Sequence, residues 1–473
     1  MNAPIIRLFG LVVVLFVLLV LWTSRWTVLE ASSLNKNPLN VRPLLAELHV
    51  KGGRILAADG TVLAQPVPGP DRTWRRAYPT GSLFAQAIGY SIAAQGRSAG
   101  LERSRAAELR GEQTGLGSVF GQLSATRVGN DVYTTLDPKA QRAAQQALAG
   151  QNGAVVALDP RTGGVLVMYA NPSYDDNHPD QAGTGVSTFN RATQGSYAPG
   201  STFKIVTATA AVDSGKYTAD SVVNGNSPLL VSGVPLSNDN NQSWGPQNLI
   251  TAMTYSINTI FAQLAETVGR RPMTDYMQRF GFYAKPPLDY PPDELRASRP
   301  YAPGGRPYPP ASPQEDIGRI GIGQGGMLVT PLQMAMVAAA VAGGGKLMTP
   351  HLTSRIVNPD GATIQTIKPT VERQVMSAGS DQQVTQMMQK VVEEGTGTTV
   401  QIPGVTIAGK TGTASIGATG SNLTQPSFVA FAPVQSPKVA IAVMVDRSQG
   451  GFGATVAAPI ARAVIQTLLA EGR

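Results

Sequence analysis

The run Tyr197-Ala198-Pro199-Gly200-Ser201-Thr202-Phe203-Lys204 sets a hydroxyl and an amine three residues apart. Pro199 and Gly200 interrupt the backbone, and Ser201 to Val212 has the Ala, Val and Ile spacing of a buried helix, so Ser201 falls on its first turn. Residues three apart share a helix face, which sets the Lys204 amine beside the Ser201 hydroxyl, while free first-turn amides point toward any oxyanion formed there. Such a pair offers acyl transfer from an oxygen nucleophile. Spacing alone does not establish it, because Ser33 to Lys36 repeats the pattern in a polar stretch with no helix signal. A hydroxyl attacking an amide needs a base, and His49, His178 and His351 sit in no supporting motif. Lys204 can serve if it is neutral, which means lowering an amine pKa of about 10.4 toward 7, about 4 kcal/mol, by burial and a second cation. Lys410, in Gly409-Lys410-Thr411-Gly412-Thr413-Ala414, is a candidate for that cation.

Lys410 has a competing reading. Gly404-Val405-Thr406-Ile407-Ala408-Gly409-Lys410-Thr411 matches the phosphate-cradling G-x-x-x-x-G-K-[ST] by letter, and Val439 to Asp446 imitates a Walker-B strand ending in an acid. That reading makes the chain a nucleotide hydrolase. It requires a turn through the four variable residues and a helix starting at the lysine. Here Val-Thr-Ile-Ala prefers strand, and Thr413 to Thr424, with Gly417 and Gly420, lacks helical periodicity. Gly321 to Gly326 likewise matches G-x-G-x-x-G by letter, without the preceding strand or following acid of a dinucleotide site.

The elements that must position these residues belong to a chain of 473 residues, long enough for two or three domains. Only 14% of residues are charged, and 51 Gly with 35 Pro imply many turns. The net charge of +8 suits an anionic environment such as lipid headgroups or cell-wall polymer, but no aromatic-interleaved basic cluster marks a nucleic-acid surface. Cysteine is absent, which excludes disulfides, thiol catalysis and thiolate metal sites. Ile5 to Trp22 is apolar apart from Arg7 and reads as a slightly short transmembrane helix, with Trp22 and Trp26 as an aromatic anchor. A cleaved signal peptide is the rival, but Leu29-Glu30-Ala31 lacks the small residues of a cleavage site. The expectation is an uncleaved single-pass anchor with the body outside the cytoplasmic membrane; Arg25 weakens the charge signal for that orientation.

We divide the chain into residues 1–23 (cytoplasmic tip and anchor), 24–150 (a smaller mixed α/β pedestal) and 151–473 (the catalytic unit). The pedestal carries a hairpin around Asp59-Gly60 and no catalytic constellation, so a scaffold or docking role is its default. In the catalytic unit, Ala154 to Leu158 and Val165 to Tyr169 form a second hairpin. The following loop holds Asp175, Asp176, His178 and Asp180 with no recognised metal-ligand spacing and reads as solvated. Asn248 to Val268 reads as one helix with Ser256 and Asn258 as polar residues on its exterior. Lys285 to Pro313 is a Pro-rich, exposed connection. Helices are expected at Thr330 to Val341, Ser380 to Glu394 and Thr455 to Leu469, and strands at Val405 to Ala408 continuing into Lys410, at Phe428 to Ala432 and at Val439 to Val445. The result is an α+β unit: a five-stranded antiparallel sheet assembled from both ends, with helical layers.

Taken together, Ser201-x-x-Lys204, Ser256-x-Asn258 and Lys410-Thr411-Gly412 resemble the three motifs of penicillin-binding proteins and serine β-lactamases. Asn190-Arg191-Ala192, Ile322-Gly323-Gln324-Gly325, Gly395-Thr396-Gly397, Gly100-Leu101-Glu102 and Arg54-Ile55 extend the likeness over nearly the whole chain. It is similar above all to the membrane-anchored class B enzymes, of the short actinobacterial penicillin-binding protein A type. The resemblance implies a peptidoglycan D,D-transpeptidase without cofactor or metal, in which Ser201 attacks a stem-peptide D-Ala carbonyl and Lys204 takes its proton. It further implies an oxyanion hole from the Ser201 and Thr413 amides and a proton relay through Ser256. Asn258 would hold the substrate amide and Lys204, and Lys410 with the hydroxyls of Thr411 and Thr413 would bind the terminal carboxylate. β-Lactams would trap Ser201, and a membrane glycosyltransferase of the RodA/FtsW type would be the partner. A D,D-carboxypeptidase using the same residues is the alternative. One departure is visible: Ser427 precedes Phe428, where family members often carry Trp.

Overall fold

The computed structural model describes residues 2–26, 30, 42–112, 128–181, 188–416 and 422–470. Ser33 to Lys36, Gly417 and Gly420 lie outside the described residues. The first helix, α1 (Asn2–Ser24), is apolar through its centre, with Arg7 near its start, and is exposed over Ala3–Ser24, long enough to cross a membrane and fitting a membrane anchor.

In chain order the two large sheets use β1 (Ile55–Leu56), β2 (Val62–Pro68), β3 (Trp74–Ala77), β4 (Asp131–Thr134), β5 (Gly153–Leu158), β6 (Val165–Asn171), β7 (Thr353–Val357), β8 (Thr363–Thr366), β9 (Ala408–Ser415), β10 (Leu423–Ala432) and β11 (Val439–Val445). The pedestal sheet runs β8-β7-β4-β1-β2-β3, with only β1 and β4 parallel. Its β1–β2 pair is the hairpin at Asp59-Gly60. Two of its strands, β7 and β8, come from far along the chain, so the sheet crosses the sequence boundary drawn at residue 150. Tyr133 and Thr134 of β4 register against Arg355 and Thr353 of β7, a link invisible to local patterning.

The second sheet runs β9-β10-β11-β5-β6, antiparallel throughout, as expected, with Ser448–Gln449 adding beside the start of β10. Both faces are dry. Val155 and Ala157 with Ile441 and Val443 face one apolar cluster, while Ala154 and Val156 with Ala442 and Met444 face the other. Side chains alternate faces at every residue, so strands covered on both sides read as unbroken apolar runs. One cover is α2 (Pro138–Ala147), packed against the C-terminal helix Ala458–Ala470. On the other side lie α3 (Lys204–Asp213), α4 (Leu249–Thr254), α5 (Asn258–Val268), α6 (Pro331–Ala342) and α7 (Ala378–Glu393). The start of α6 matches its sequence signature: Thr330 caps it by accepting from the Gln333 amide at 3.1 Å, with Pro331 in the first turn.

Three expectations need correction. Asn248 to Val268 is two helices, α4 and α5, broken at Tyr255–Ile257. The connection from Lys285 to Pro313 is not simply exposed: Leu288, Tyr290, Leu295 and Ser298 are buried. Its Asp289 accepts from Arg105 Nη2 at 2.8 Å and from the Leu352 and Thr353 amides, and Glu294 accepts from the Gly100 amide at 3.0 Å, so the segment is a joint between pedestal and catalytic unit. The loop at Asp175 is not wholly solvated, since Asp176 is buried and burial raises its carboxyl well above the usual range. No metal-holding cluster occurs among the described residues.

Gly100-Leu101-Glu102 and Arg76 meet inside the pedestal. Arg76 Nε donates to Glu102 Oε1 at 2.8 Å and Arg76 Nη1 to the Gly53 carbonyl at 2.6 Å, with both side chains largely buried. Removing one partner of a buried ion pair strands the other charge, at a cost of about 3–5 kcal/mol, whereas replacing both with apolar residues is often neutral. Glu102→Ala is therefore expected to destabilise the protein by that amount in urea unfolding, and the double variant Arg76→Met with Glu102→Leu to recover most of it. A loss below about 1 kcal/mol in the single variant would show that the pair does not hold the pedestal together.

Candidate active site

Ser201 lies in a single 3-10 turn, Gly200–Phe203, that feeds α3. The turn is held from several sides. Gly200 has a left-handed φ of 51°, and a Cβ there would come within 3.0 Å of the Thr413 carbonyl oxygen. A Cβ on Gly323 would sit 2.0 Å from the Gly200 carbonyl oxygen, so that glycine run is a close-approach surface for the Ser201 turn, not a dinucleotide loop. Ahead of the turn, Tyr197 exchanges backbone hydrogen bonds with Val329 at 2.8 and 2.9 Å, and its hydroxyl donates to Asp446. Arg191 Nε donates to the same carboxylate at 2.9 Å. The acid that imitated a Walker-B residue thus anchors the segment leading into Ser201.

Lys204, on the first turn of α3, is fully buried. Its Nζ lies 2.7 Å from the Ser256 carbonyl oxygen, 2.6 Å from Asn258 Oδ1 and 3.1 Å from Ser256 Oγ. The helix break explains how. Ser256 takes a left-handed φ of 61°, unusual for a residue other than glycine, which frees its carbonyl from the helix ladder and turns it to the lysine. Asn258 opens α5, and its Nδ2 faces the Ser237 carbonyl at 3.3 Å, which leaves Oδ1 for Lys204. Two of the three Lys204 contacts, a carbonyl and an amide oxygen, can only accept. They use both N–H bonds of a neutral amine and leave its lone pair for a hydroxyl proton. Among the described residues no hydrogen bond joins Lys204 to Ser201 Oγ, so in this free state the amine faces Ser256 and Asn258 more directly than the expected Ser201.

Lys410 is the third residue of β9, registered against Val429, and β9 pairs residue by residue with β10 across Lys410 to Thr413. A regular strand offers no phosphate cradle, which overturns the nucleotide-hydrolase reading of Gly404 to Thr411. Lys410 is fully buried, and its Nζ donates to the Thr411 carbonyl at 3.1 Å. Burial lowers its pKa to about 7, opposed by Asp239. Burial, then the nearby Lys410 charge, holds Lys204 well below the ordinary amine range, again opposed by Asp239. The second cation sought for Lys204 is thus Lys410.

β9 is the edge strand, so one side of its backbone is free to face Gly200 and Ser201. Gly412 is required by contact: a Cβ would fall 2.7 Å from the Pro199 carbonyl oxygen and 2.3 Å from Ser427 Oγ. Ser427, the departure from the family pattern, is buried under Gly412 and donates to the Pro199 carbonyl at 3.2 Å. Thr413 Oγ1 accepts from the Gly453 amide at 3.1 Å. Sequence reasoning missed two neighbours. Thr396 Oγ1 lies 2.6 Å from Thr411 Oγ1, and the only signal was its place in Gly395-Thr396-Gly397. Asp239 Oδ1 lies 3.4 Å from Asn258 Nδ2, from a loop with no motif.

Fold and site together define an acyl-transfer enzyme built on a serine, two lysines and an edge strand. A family model for the penicillin-binding protein transpeptidase domain matches residues 153–466, and one for the penicillin-binding protein A dimerisation domain matches residues 52–131. The chain belongs to the penicillin-binding protein transpeptidases. It is 35% identical to the peptidoglycan D,D-transpeptidase PbpA of Mycolicibacterium smegmatis, with 100% of both chains covered. It is similar in structure to penicillin-binding protein A from M. tuberculosis in an imipenem acyl-enzyme complex, with a TM-score of 0.77, 31% identity, and 90% of this chain and 100% of that chain covered. The D,D-transpeptidase domain of a peptidoglycan glycosyltransferase from Eggerthella lenta matches with a TM-score of 0.78, 31% identity, and 90% and 99% coverage.

A buried lysine whose folded pKa is lowered binds fewer protons than in the unfolded chain, so stability rises with pH between the two values. For Lys410 that window runs from about 7 to the ordinary lysine value of 10.5. Lys410→Met is expected to raise the melting temperature at pH 7, by an amount worth at most about 4 kcal/mol, and the gain should shrink at pH 9.5. A gain that does not change with pH would mean that Lys410 is not held against its charge.

Proposed function

We propose that this protein is a peptidoglycan D,D-transpeptidase that cross-links stem peptides through a Ser201 acyl-enzyme and is acylated by β-lactams. The observation carrying this reading is Lys204, buried, flanked by Ser256 and Asn258, one turn from Ser201 and beside a second lysine. Neutral Lys204 takes the Ser201 hydroxyl proton as Oγ attacks the penultimate D-Ala carbonyl carbon. The Ser201 and Thr413 amides hold the oxyanion, a role favoured by the contact between Gly200 and the Thr413 backbone. Ser256 passes a proton to the departing D-Ala amine as the C–N bond breaks, and Asn258 holds the substrate amide and Lys204. Charged Lys410 with the hydroxyls of Thr411 and Thr413 binds the terminal carboxylate, and Thr396 steadies Thr411. Gly412 lets β9 lie against Pro199. An amine from a second stem peptide then releases the acyl group.

The remaining assignments follow from this reading. Residues 1–23 would anchor the chain in the cytoplasmic membrane as a single pass with the N-terminus on the cytoplasmic side, 24–150 form the pedestal, and 151–473 carry the chemistry on the outer side. A RodA/FtsW-type glycosyltransferase would supply the glycan strands.

Labelled penicillin is expected to modify the full chain stoichiometrically and not to modify Ser201→Ala; labelling that survives this change would sink the assignment. Acylation should require neutral Lys204 and charged Lys410, so its rate should rise with pH on the acid side and fall as Lys410 deprotonates above about 7. In Lys410→Met the alkaline fall should disappear together with most of the rate. With a stem-peptide donor and an amine acceptor, cross-linked product separates transpeptidation from the carboxypeptidase alternative, which would release D-Ala alone.

A further inference from the structure

The loop at Asn238–Gln242 is built rigidly beside the site. Asn238 is buried, donates from Nδ2 to the Gly225 and Gln242 carbonyls at 3.0 and 2.9 Å, and accepts from the Thr259 amide at 2.9 Å. Asn240 and Asn241 both take left-handed φ, 54° and 55°, which asparagine tolerates better than most residues. This tight turn projects Asp239, exposed, next to Asn258 with 3.4 Å between Oδ1 and Nδ2. Among the described residues Asp239 is the carboxylate whose charge acts on both Lys204 and Lys410.

A transpeptidase must admit two peptides of opposite demand. The donor brings a carboxylate, which a cationic Lys410 suits. The acceptor brings an amine that is an ammonium in water, and it approaches the same two lysines. Like charges at close range repel, and an exposed carboxylate offsets that repulsion without itself being desolvated. We propose that Asp239 is the acceptor subsite, receiving the ammonium of the incoming amino-group peptide before it attacks the Ser201 ester. This rests on the transpeptidase reading above. In the step itself the acceptor nitrogen bonds to the ester carbonyl carbon and the bond from that carbon to Ser201 Oγ breaks. Of the ammonium's three protons, one stays on the new amide nitrogen, one reaches Ser201 Oγ through Lys204, and one is lost to water.

The test uses the full chain, a D-Ala thioester donor, and D-alanine as the acceptor, with Asp239→Asn and Asp239→Glu as variants. Asp239→Asn should move the pH profile of penicillin acylation toward lower pH, because the charge opposing the lowered pKa of Lys204 and Lys410 is gone. At each protein's own optimum the KM for D-alanine should rise about fivefold, the size expected of an exposed charge pair, while acylation stays within about twofold. Asp239→Glu should restore most of it. Salt should raise the wild-type KM for D-alanine more steeply than that of Asp239→Asn, because screening of the carboxylate contact at Lys410 is common to both proteins and only the wild type has the Asp239 pair to lose. Hydroxylamine, uncharged at neutral pH, should partition alike in all three proteins. Equal losses of acylation and aminolysis would make Asp239 a positioning residue for Asn258 and overturn the proposal, as would an unchanged KM for D-alanine. Failure of Ser201 to acylate at all would instead remove the transpeptidase reading beneath it.

Discussion

The site depends on one constraint: Lys204 is kept in a place where its charge is unfavourable. Burial removes water from the amine, and Lys410 adds a like charge nearby. Three oxygens, from Ser256 and Asn258, then satisfy the neutral form. A protein that merely filled its core would put an apolar side chain here, since a buried unpaired lysine opposes folding. The surrounding structure is the means of tolerating it. The five-stranded sheet, dry on both faces, provides the stability against which an unfavourable amine can be held.

The same constraint accounts for the broken helix. An unbroken helix from Asn248 to Val268 would commit the Ser256 carbonyl to its own ladder and leave Lys204 short of an acceptor. The break spends local backbone preference at Ser256 on a contact made across the fold. Glycines do the corresponding work on the other side. Gly200, Gly323 and Gly412 each lie where a Cβ would meet backbone, so the Ser201 turn, the Gly321 to Gly326 run and β9 approach more closely than side chains would allow. Ser427 fits that crowding, since it is small enough to lie under Gly412 and polar enough to hold the Pro199 carbonyl.

What could be read in the sequence follows from the range of each interaction. The central sheet was legible because doubly covered strands are continuous apolar runs, and the Ser201 turn because Pro, Gly and a helical period announce it. Ser256 and Asn258 were not legible locally: nothing in Tyr255-Ser256-Ile257-Asn258 signals a helix break, and only their conjunction with Ser201 and Lys410 gave them meaning. Asp446 was read with the wrong partner because its real ones, Arg191 and Tyr197, are some 250 residues away in sequence. Asp239 had no signal of its own, because it sits in an Asn-rich turn, and Thr396 had only its place in the Gly395-Thr396-Gly397 phrase, which says nothing of its contact with Thr411.

The pedestal is connected to the Ser201 turn by ties more specific than covalent continuity. β7 and β8 leave the catalytic unit to complete the pedestal sheet, and the segment from Lys285 to Pro313 returns the connection. Within it, Glu294 takes the Gly100 amide through its carboxylate and the Thr193 hydroxyl through its carbonyl. Thr193 lies two residues from Arg191, which shares Asp446 with Tyr197, four residues before Ser201. Each tie is a short hydrogen bond between elements that are themselves packed, so a shift of the pedestal against the sheet has few compliant places to be absorbed before it reaches the turn holding the nucleophile. Glu294 joins the two through both ends of one residue, beside the ties that Asp289 of the same segment makes to Arg105, Leu352 and Thr353.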